Sequence, residues 1–224
     1  MSQPSVAVFE RYATDYDAWY ETPIGRGAYR SEVRALAPLL AECPRPWLEI
    51  GVGSGRFAQA LAVEFGVDPA PTPLRMAAGR GVHTVQAVGE RLPFRDRSFG
   101  GVLLVATLCF VEDPLAVLRE AYRILRPEGG LVLGEIPAES PWGAEYQEKG
   151  RQGDPFFSMA RFYDRQELEA LLRKAGFEIV AYRSTLFQPP DAPAIEEEEP
   201  RPGFHPEAGF VGLLARPAAS ESRS

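Results

Sequence analysis

The chain has 224 residues, 45% of them hydrophobic, and a formal net charge of −7, which suits one domain with a real core. Lys149 and Lys174 are its only lysines and no basic stripe occurs, which argues against a nucleic-acid partner. The longest apolar run, residues 102–111, is too short to span a bilayer.

The two cysteines, Cys43 and Cys109, lie far apart and read as reduced thiols. The N-terminus shows no basic, apolar leader. A cytoplasmic protein with no membrane partner is the expectation.

Residues 5–20 set Phe9, Tyr12, Tyr16 and Trp19 at helical spacing, with Arg11, Asp15 and Asp17 between them. This predicts one amphipathic helix that either docks on the core or covers a ligand. Residues 22–27 (Thr-Pro-Ile-Gly-Arg-Gly) read as a turn-rich break. Val33, Leu36, Leu39 and Leu40 then mark a helix bent at Pro38.

Trp47, Leu48 and Ile50 make a short apolar strand, and Glu49 inside it needs partners. Gly51, Gly53 and Gly55 follow, and a helix begins at Arg56. In a doubly wound sheet such a turn lies at the carboxyl edge, where nucleotide-like ligands bind. The dinucleotide fingerprint would need glycine at position 56, where Arg56 stands, so a nicotinamide-dependent oxidoreductase is disfavoured.

Residues 65–69 form a second strand ending in Asp68, 17 positions after Gly51. That acid either takes ribose hydroxyls or makes a turn before Pro69. A third strand covers residues 82–88. A fourth, over residues 99–111, is apolar enough to be buried on both faces and contains Cys109. Asp113 caps a helix opened by Pro114, and residues 131–136 are the fifth strand. Strands alternating with helices imply a parallel sheet.

Residues 138–163 read as a long loop rich in aromatics (Trp142, Tyr146, Phe156, Phe157, Phe162, Tyr163), and such loops are often functional. Asp164, Glu167 and Gly176 bound another helix. Residues 177–187 are strand six. Residues 188–209 form a loop whose run Glu196 to Glu199 reads as solvated. Residues 210–215 are the last strand, and the tail from Pro217 is expected to be disordered.

Four blocks occur in order: Leu-Glu-Ile-Gly-Val-Gly-Ser-Gly (48–55), Gly-Val-Asp-Pro (66–69), Glu-Arg-Leu-Pro-Phe-x-x-x-Ser-Phe (90–99) and Glu-Ala-Tyr-Arg-Ile-Leu-Arg-Pro-Glu-Gly-Gly (120–130). Together they resemble the class I S-adenosylmethionine-dependent methyltransferases of the type 11 group, which includes the quinone-biosynthesis methyltransferases. The resemblance implies an α/β fold, a Rossmann-like doubly wound seven-stranded sheet, mostly parallel with an antiparallel last strand. It implies a single domain over residues 1–217, covered by residues 1–44 and 138–163, with residues 218–224 as a tail.

It also implies S-adenosylmethionine as methyl donor to a small-molecule acceptor. The cofactor-binding residues expected from it are Tyr16, Glu49, Gly51, Val52, Gly53, Gly55, Asp68, Pro69, Gly89, Glu90, Arg91, Leu92, Ala106 and Thr107. Two departures stand out. Gly100 replaces a family Asp, and Val88 stands where an acid often meets the adenine amino group. Adenine is then expected on backbone and apolar contacts at residues 89–92. No strong catalytic motif is present; Tyr163, Glu135 and Tyr146 are candidate bases and Arg161 a candidate anion binder. Cys109 is either core or a thiol facing the methyl donor. His83 and His205 do not suggest a metal site. The aromatic cover suits an apolar or aromatic acceptor, or a soft nucleophile such as a thiol. A non-catalytic S-adenosylmethionine-binding module of the same fold is the alternative. Either a monomer or a homodimer is expected.

Overall fold

In the computed structural model, which describes residues 4–218, the sheet is wound outward from β1 (Trp47–Ile50). On one side β2 (Phe65–Asp68) and β3 (His83–Gln86) add in parallel. On the other, β4 (Phe99–Val105) and β5 (Leu125–Glu135) add in parallel. The chain then passes outward to β6 (Phe177–Thr185), gains a short edge strand β7 (Arg201–Pro202), and returns as β8 (Phe210–Pro217). β8 slots antiparallel between β5 and β6, giving the order β3-β2-β1-β4-β5-β8-β6-β7. The sheet therefore has eight strands, not the expected seven. The extra strand pairs only with β6, and an edge is where Pro202 can be tolerated.

Side-chain alternation sorts the central strands into two layers. Leu103, Val105 and Val132 pack toward α3 (Pro23–Leu40) and α4 (Arg56–Leu61). Val102, Leu104, Leu131 and Leu133 pack toward α6 (Pro114–Ile124) and α8 (Arg165–Ala175). Strand β4 is buried at every position, as its apolar composition implies. Asp113 caps α6 through the Ala116 N–H at 2.9 Å, and Asp164 and Glu167 form a capping box on α8. Among the described residues, no helix is long and apolar enough to cross a membrane.

Several elements differ from the sequence reading. The N-terminal segment is two helices, α1 (Pro4–Arg11) and α2 (Ala13–Trp19), broken at Tyr12 (φ −109°, ψ 19°). The expected break at residues 22–27 is instead the first turn of α3, capped by Thr22. Gly25 and Gly27 are there for close approach: a Cβ would stand 2.0 Å from the Trp19 carbonyl oxygen and 1.7 Å from that of Ile195. The expected loop at residues 138–163 contains α7 (Pro141–Arg151), capped by Ser140. Strand β4 stops at Val105, and Cys109 lies in a 3₁₀ turn (Leu108–Phe110). The glutamate run is not merely solvated, because Glu198 accepts from the Phe187 and Gln188 amides at 2.9 and 3.0 Å. The tail expected from Pro217 starts later: Pro217 ends β8 opposite Phe177, and residues 219–224 lie outside the described residues.

Candidate functional site

The strand order reverses between β1 and β4, and the crevice at their carboxyl ends is where a doubly wound sheet binds ligands. The glycine turn after β1 runs through the left-handed region at Gly51 (φ +73°), Gly53 (φ +50°) and Gly55 (φ +82°). A Cβ on Gly51 would lie 2.5 Å from both Cγ2 and Oγ1 of Thr107, so the missing side chain lets the ends of β1 and β4 touch. No atom lies within 4 Å of the Cβ position of Gly53, so its backbone is bare toward the cavity it lines.

Asp68, at the end of β2, accepts from the Gly53 N–H at 2.9 Å and the Ala70 N–H at 2.8 Å. Each carboxylate oxygen retains lone-pair capacity toward a ligand. Burial raises its carboxyl above the usual range in spite of those two bonds. These groups line a cavity of about 110 Å³ that also takes in Tyr16, Pro69, Ala106 and Thr107.

The other expected cofactor residues lie outside that lining. Glu49 points to the α3–α4 layer. Burial pushes its carboxyl well up, against a backbone hydrogen bond from Ala58 in the first turn of α4. Its Oε2 is buried without a partner. Val52 packs against Gly66, and Gly55 lets the loop approach Ala77. Gly89 faces Ile50 and Val117, and the buried Leu92 donates its N–H to Glu120 at 2.7 Å. Glu90 is half-buried and Arg91 exposed beside them.

Helices α1 and α2 lie across the crevice. Ser5 donates to the Phe110 carbonyl at 3.0 Å, and Glu10 accepts from the Thr72 N–H at 2.8 Å, at the start of α5 (Pro71–Gly79). The stronger tie is Asp17. It accepts from Ser54 Oγ at 2.5 Å, from Arg56 Nε and Nη2 at 2.8 and 2.9 Å, and from Arg80 Nη2 at 2.9 Å. Burial opposes its charge, but the bonds from Arg56, Ser54 and Arg80 outweigh it and hold the carboxyl down at about 2. Arg56, which displaces the third fingerprint glycine, thus pins α2 to the glycine loop.

A second cavity, of about 410 Å³, adjoins the first and shares Tyr16, Val105, Ala106 and Phe110 with it. Rings from α2, from α7 and from the segment after α7 line it, with Tyr146 stacked on Phe157 at 4.2 Å. Of the four candidate catalytic residues only Tyr146 lies here, and burial raises its phenol, which keeps it protonated. Glu135 and Tyr163 border a separate crevice with Tyr182 and Phe204. Burial pushes Glu135 up to about 8, opposed by a backbone hydrogen bond from Leu108. Arg161 is engaged by Glu167 at 3.2 Å. Cys109 lines the larger cavity, and burial raises its thiol well above the ordinary value.

The larger cavity also contains Glu32 of α3, only 8% exposed. Burial alone pushes its carboxyl up to about 8. Sequence reading missed it because α3 was expected to begin later. The signal was present: Glu32 is four residues after Ala28, three before Ala35 and four before Leu36, and all three are fully buried.

The geometry fits S-adenosylmethionine: an oriented acid at the end of β2 and bare backbone at Gly53, both on the cavity. Comparison with known proteins agrees. A family model described as a methyltransferase domain matches residues 48–133. An uncharacterised protein of Mycobacterium tuberculosis is 46% identical over 220 residues, which are 98% of this chain and 77% of that protein. An uncharacterised protein of Methanocaldococcus jannaschii is 34% identical over 208 residues, 93% of this chain and 98% of that one. The solved structure of a Thermotoga maritima S-adenosylmethionine-dependent methyltransferase, described as a possible histamine N-methyltransferase, is similar at a TM-score of 0.87 and 39% identity. It covers 95% of this chain and 99% of that one. The chain belongs to the class I S-adenosylmethionine-dependent methyltransferases of the type 11 group, and S-adenosylmethionine is its cofactor.

Proposed function

We propose that the protein transfers a methyl group from S-adenosylmethionine to a small-molecule acceptor by in-line displacement, releasing S-adenosylhomocysteine. The observation that carries this reading is the meeting of two cavities at the end of β4, over Tyr16, Val105, Ala106 and Phe110. The bound sulfonium supplies a methyl group that is already electrophilic. The protein's task is to hold the acceptor in line and exclude water.

In this reading Asp68 takes the ribose hydroxyls, and Gly51 and Gly53 lie against the donor with bare backbone. Glu49 steadies the first turn of α4. The cavity of about 110 Å³ lies below the roughly 300–1,000 Å³ usual for small-molecule sites. Ser5, Val6 and Phe9 of helix α1 narrow it. Residues 1–44 and 138–163 act as the cover, and the free thiols Cys43 and Cys109 suit the cytoplasm.

Isothermal titration with S-adenosylmethionine and S-adenosylhomocysteine tests the site. Micromolar binding is expected, weakened at least tenfold (about 1.4 kcal/mol) in Asp68→Ala. No binding of either compound to the wild type would overturn the reading. Transfer of labelled methyl to an acceptor separates an enzyme from a binding module of the same fold.

A further inference from the structure

Three carboxylates are buried near the sheet's carboxyl edge, and they differ in one respect. Glu49 and Glu135 each have an unpartnered oxygen sealed from solvent. Glu32 is also deeply buried, and among the described residues it accepts no hydrogen bond and meets no cation within 4.0 Å. Yet its oxygens are not among the sealed ones, and the residue lines the larger cavity. Unpaired in apolar surroundings it is held as the neutral acid, and a positively charged occupant of that cavity supplies the partner that lets it ionise.

The surroundings specify the partner's charge. Glu32 lies close enough to the phenols of Tyr16, Tyr20 and Tyr146 for its charge to disfavour their ionisation. Ring faces attract cations, and a carboxylate ringed by aromatics repels acids. Lys149, the one cation among the lining residues, is engaged by Glu145 at 3.3 Å and sits over the Tyr146 ring. The other charged residues described in the lining, Asp15 and Asp154, are both acidic.

We infer that the methyl acceptor is an amine on an apolar or aromatic body that binds as its ammonium on Glu32 among the rings of Tyr16, Tyr20 and Tyr146; the ammonium gives its proton to the Glu32 carboxylate, and the freed nitrogen lone pair takes the methyl as the sulfonium C–S bond breaks to leave S-adenosylhomocysteine. This rests on the reading of the larger cavity as the acceptor site. Glu32 is then the specificity-determining residue: it selects amines over the alcohols and acids of the same skeleton.

The test uses the full chain saturated with S-adenosylhomocysteine and titrated calorimetrically with two matched sets. One is phenethylamine, phenethyl alcohol and hydrocinnamate; the other is tryptamine, tryptophol and indolepropionate. In at least one set the amine should bind about tenfold or more tighter than the alcohol, and the acid should not bind. Glu32→Gln should abolish that preference and leave the alcohol's affinity within about twofold. Glu32→Asp should retain part of it. If neither set shows an amine preference in the wild type, or the preference survives in Glu32→Gln, the inference fails. The wild-type comparison decides even if the Gln variant does not fold. Prior titration with S-adenosylhomocysteine separates the two failures. Its binding without amine preference overturns this inference alone, whereas no binding overturns the methyl-transfer reading beneath it.

Discussion

At Gly51 one absent methyl group decides whether β1 and β4 can end side by side. A Cβ would strike Thr107 at 2.5 Å, and the backbone is left-handed at φ +73°. The left-handed backbone costs a non-glycine residue about 1–2 kcal/mol. Overpacking against Thr107 adds about 1–3 kcal/mol. Gly51→Ala should therefore lose roughly 2–5 kcal/mol of unfolding free energy in urea. Adding Thr107→Ala removes the group that is struck, so the double variant should recover the overpacking part and leave only the backbone part. A double variant no more stable than Gly51→Ala would show that Thr107 is not the obstacle. The need for positive φ was legible in the glycine spacing. The identity of the facing residue was not, because α4, β2, α5, β3 and β4 lie between Gly51 and Thr107 in the chain.

Elements whose limits are set by neighbouring residues were read well. The strand–glycine turn–helix, the Asp113 cap and the Asp164–Glu167 capping box are local chemistry, visible within a few positions. What depends on distant contacts was misread. Gly25 and Gly27 look like helix breakers until Trp19 and Ile195 press against them. Helix α7 has an apolar face of little more than Trp142 and Tyr146, too little periodicity to announce itself. The Asp17 clamp joins α2 to residues 37, 39 and 63 positions away. Its removal gives a prediction at this scale. Asp17→Asn keeps the shape but leaves the half-buried guanidinium groups of Arg56 and Arg80 facing a neutral amide, and Arg56 keeps Glu21 at 2.7 Å. Breaking a buried pair costs about 3–5 kcal/mol, and the retained Glu21 bond softens that to about 2–4. Amide exchange should quicken across α2 while α6 and α8 stay protected. A uniform change over all helices would show that Asp17 stabilises the molecule without anchoring α2.

Across the whole molecule the titrating groups pull in opposite directions, and their balance sets where the fold is most stable. Asp17 is held at about 2, below its unfolded value. Its contribution is fully present above an unfolded value of about 3.9 and is lost as pH falls through about 2. With partial solvent screening that contribution is on the order of 1–2 kcal/mol. Glu32 and Glu135 are both raised to about 8 by burial, opposed only at Glu135 by a hydrogen bond from Leu108. Their folded values exceed the unfolded ones, so they favour the fold while protonated. That advantage drains away as pH rises from about 4.3 through 8, by up to about 5 kcal/mol each. Glu49, raised in the same direction, adds to the same limb. The cofactor-free protein should therefore be most stable near pH 4–5, on the acid side of the pH 5–8 range usual for proteins. Urea unfolding from pH 3 to 9 measures the curve directly. The double variant Glu32→Gln/Glu135→Gln should flatten the neutral limb and leave in place the acid limb, to which Asp17 and the other lowered carboxyls, Glu64, Glu120 and Glu169 among them, contribute. A wild-type stability that climbs between pH 5 and 8 would mean that these carboxylates are ionised at little cost. The cavity would then no longer need a cation from its occupant.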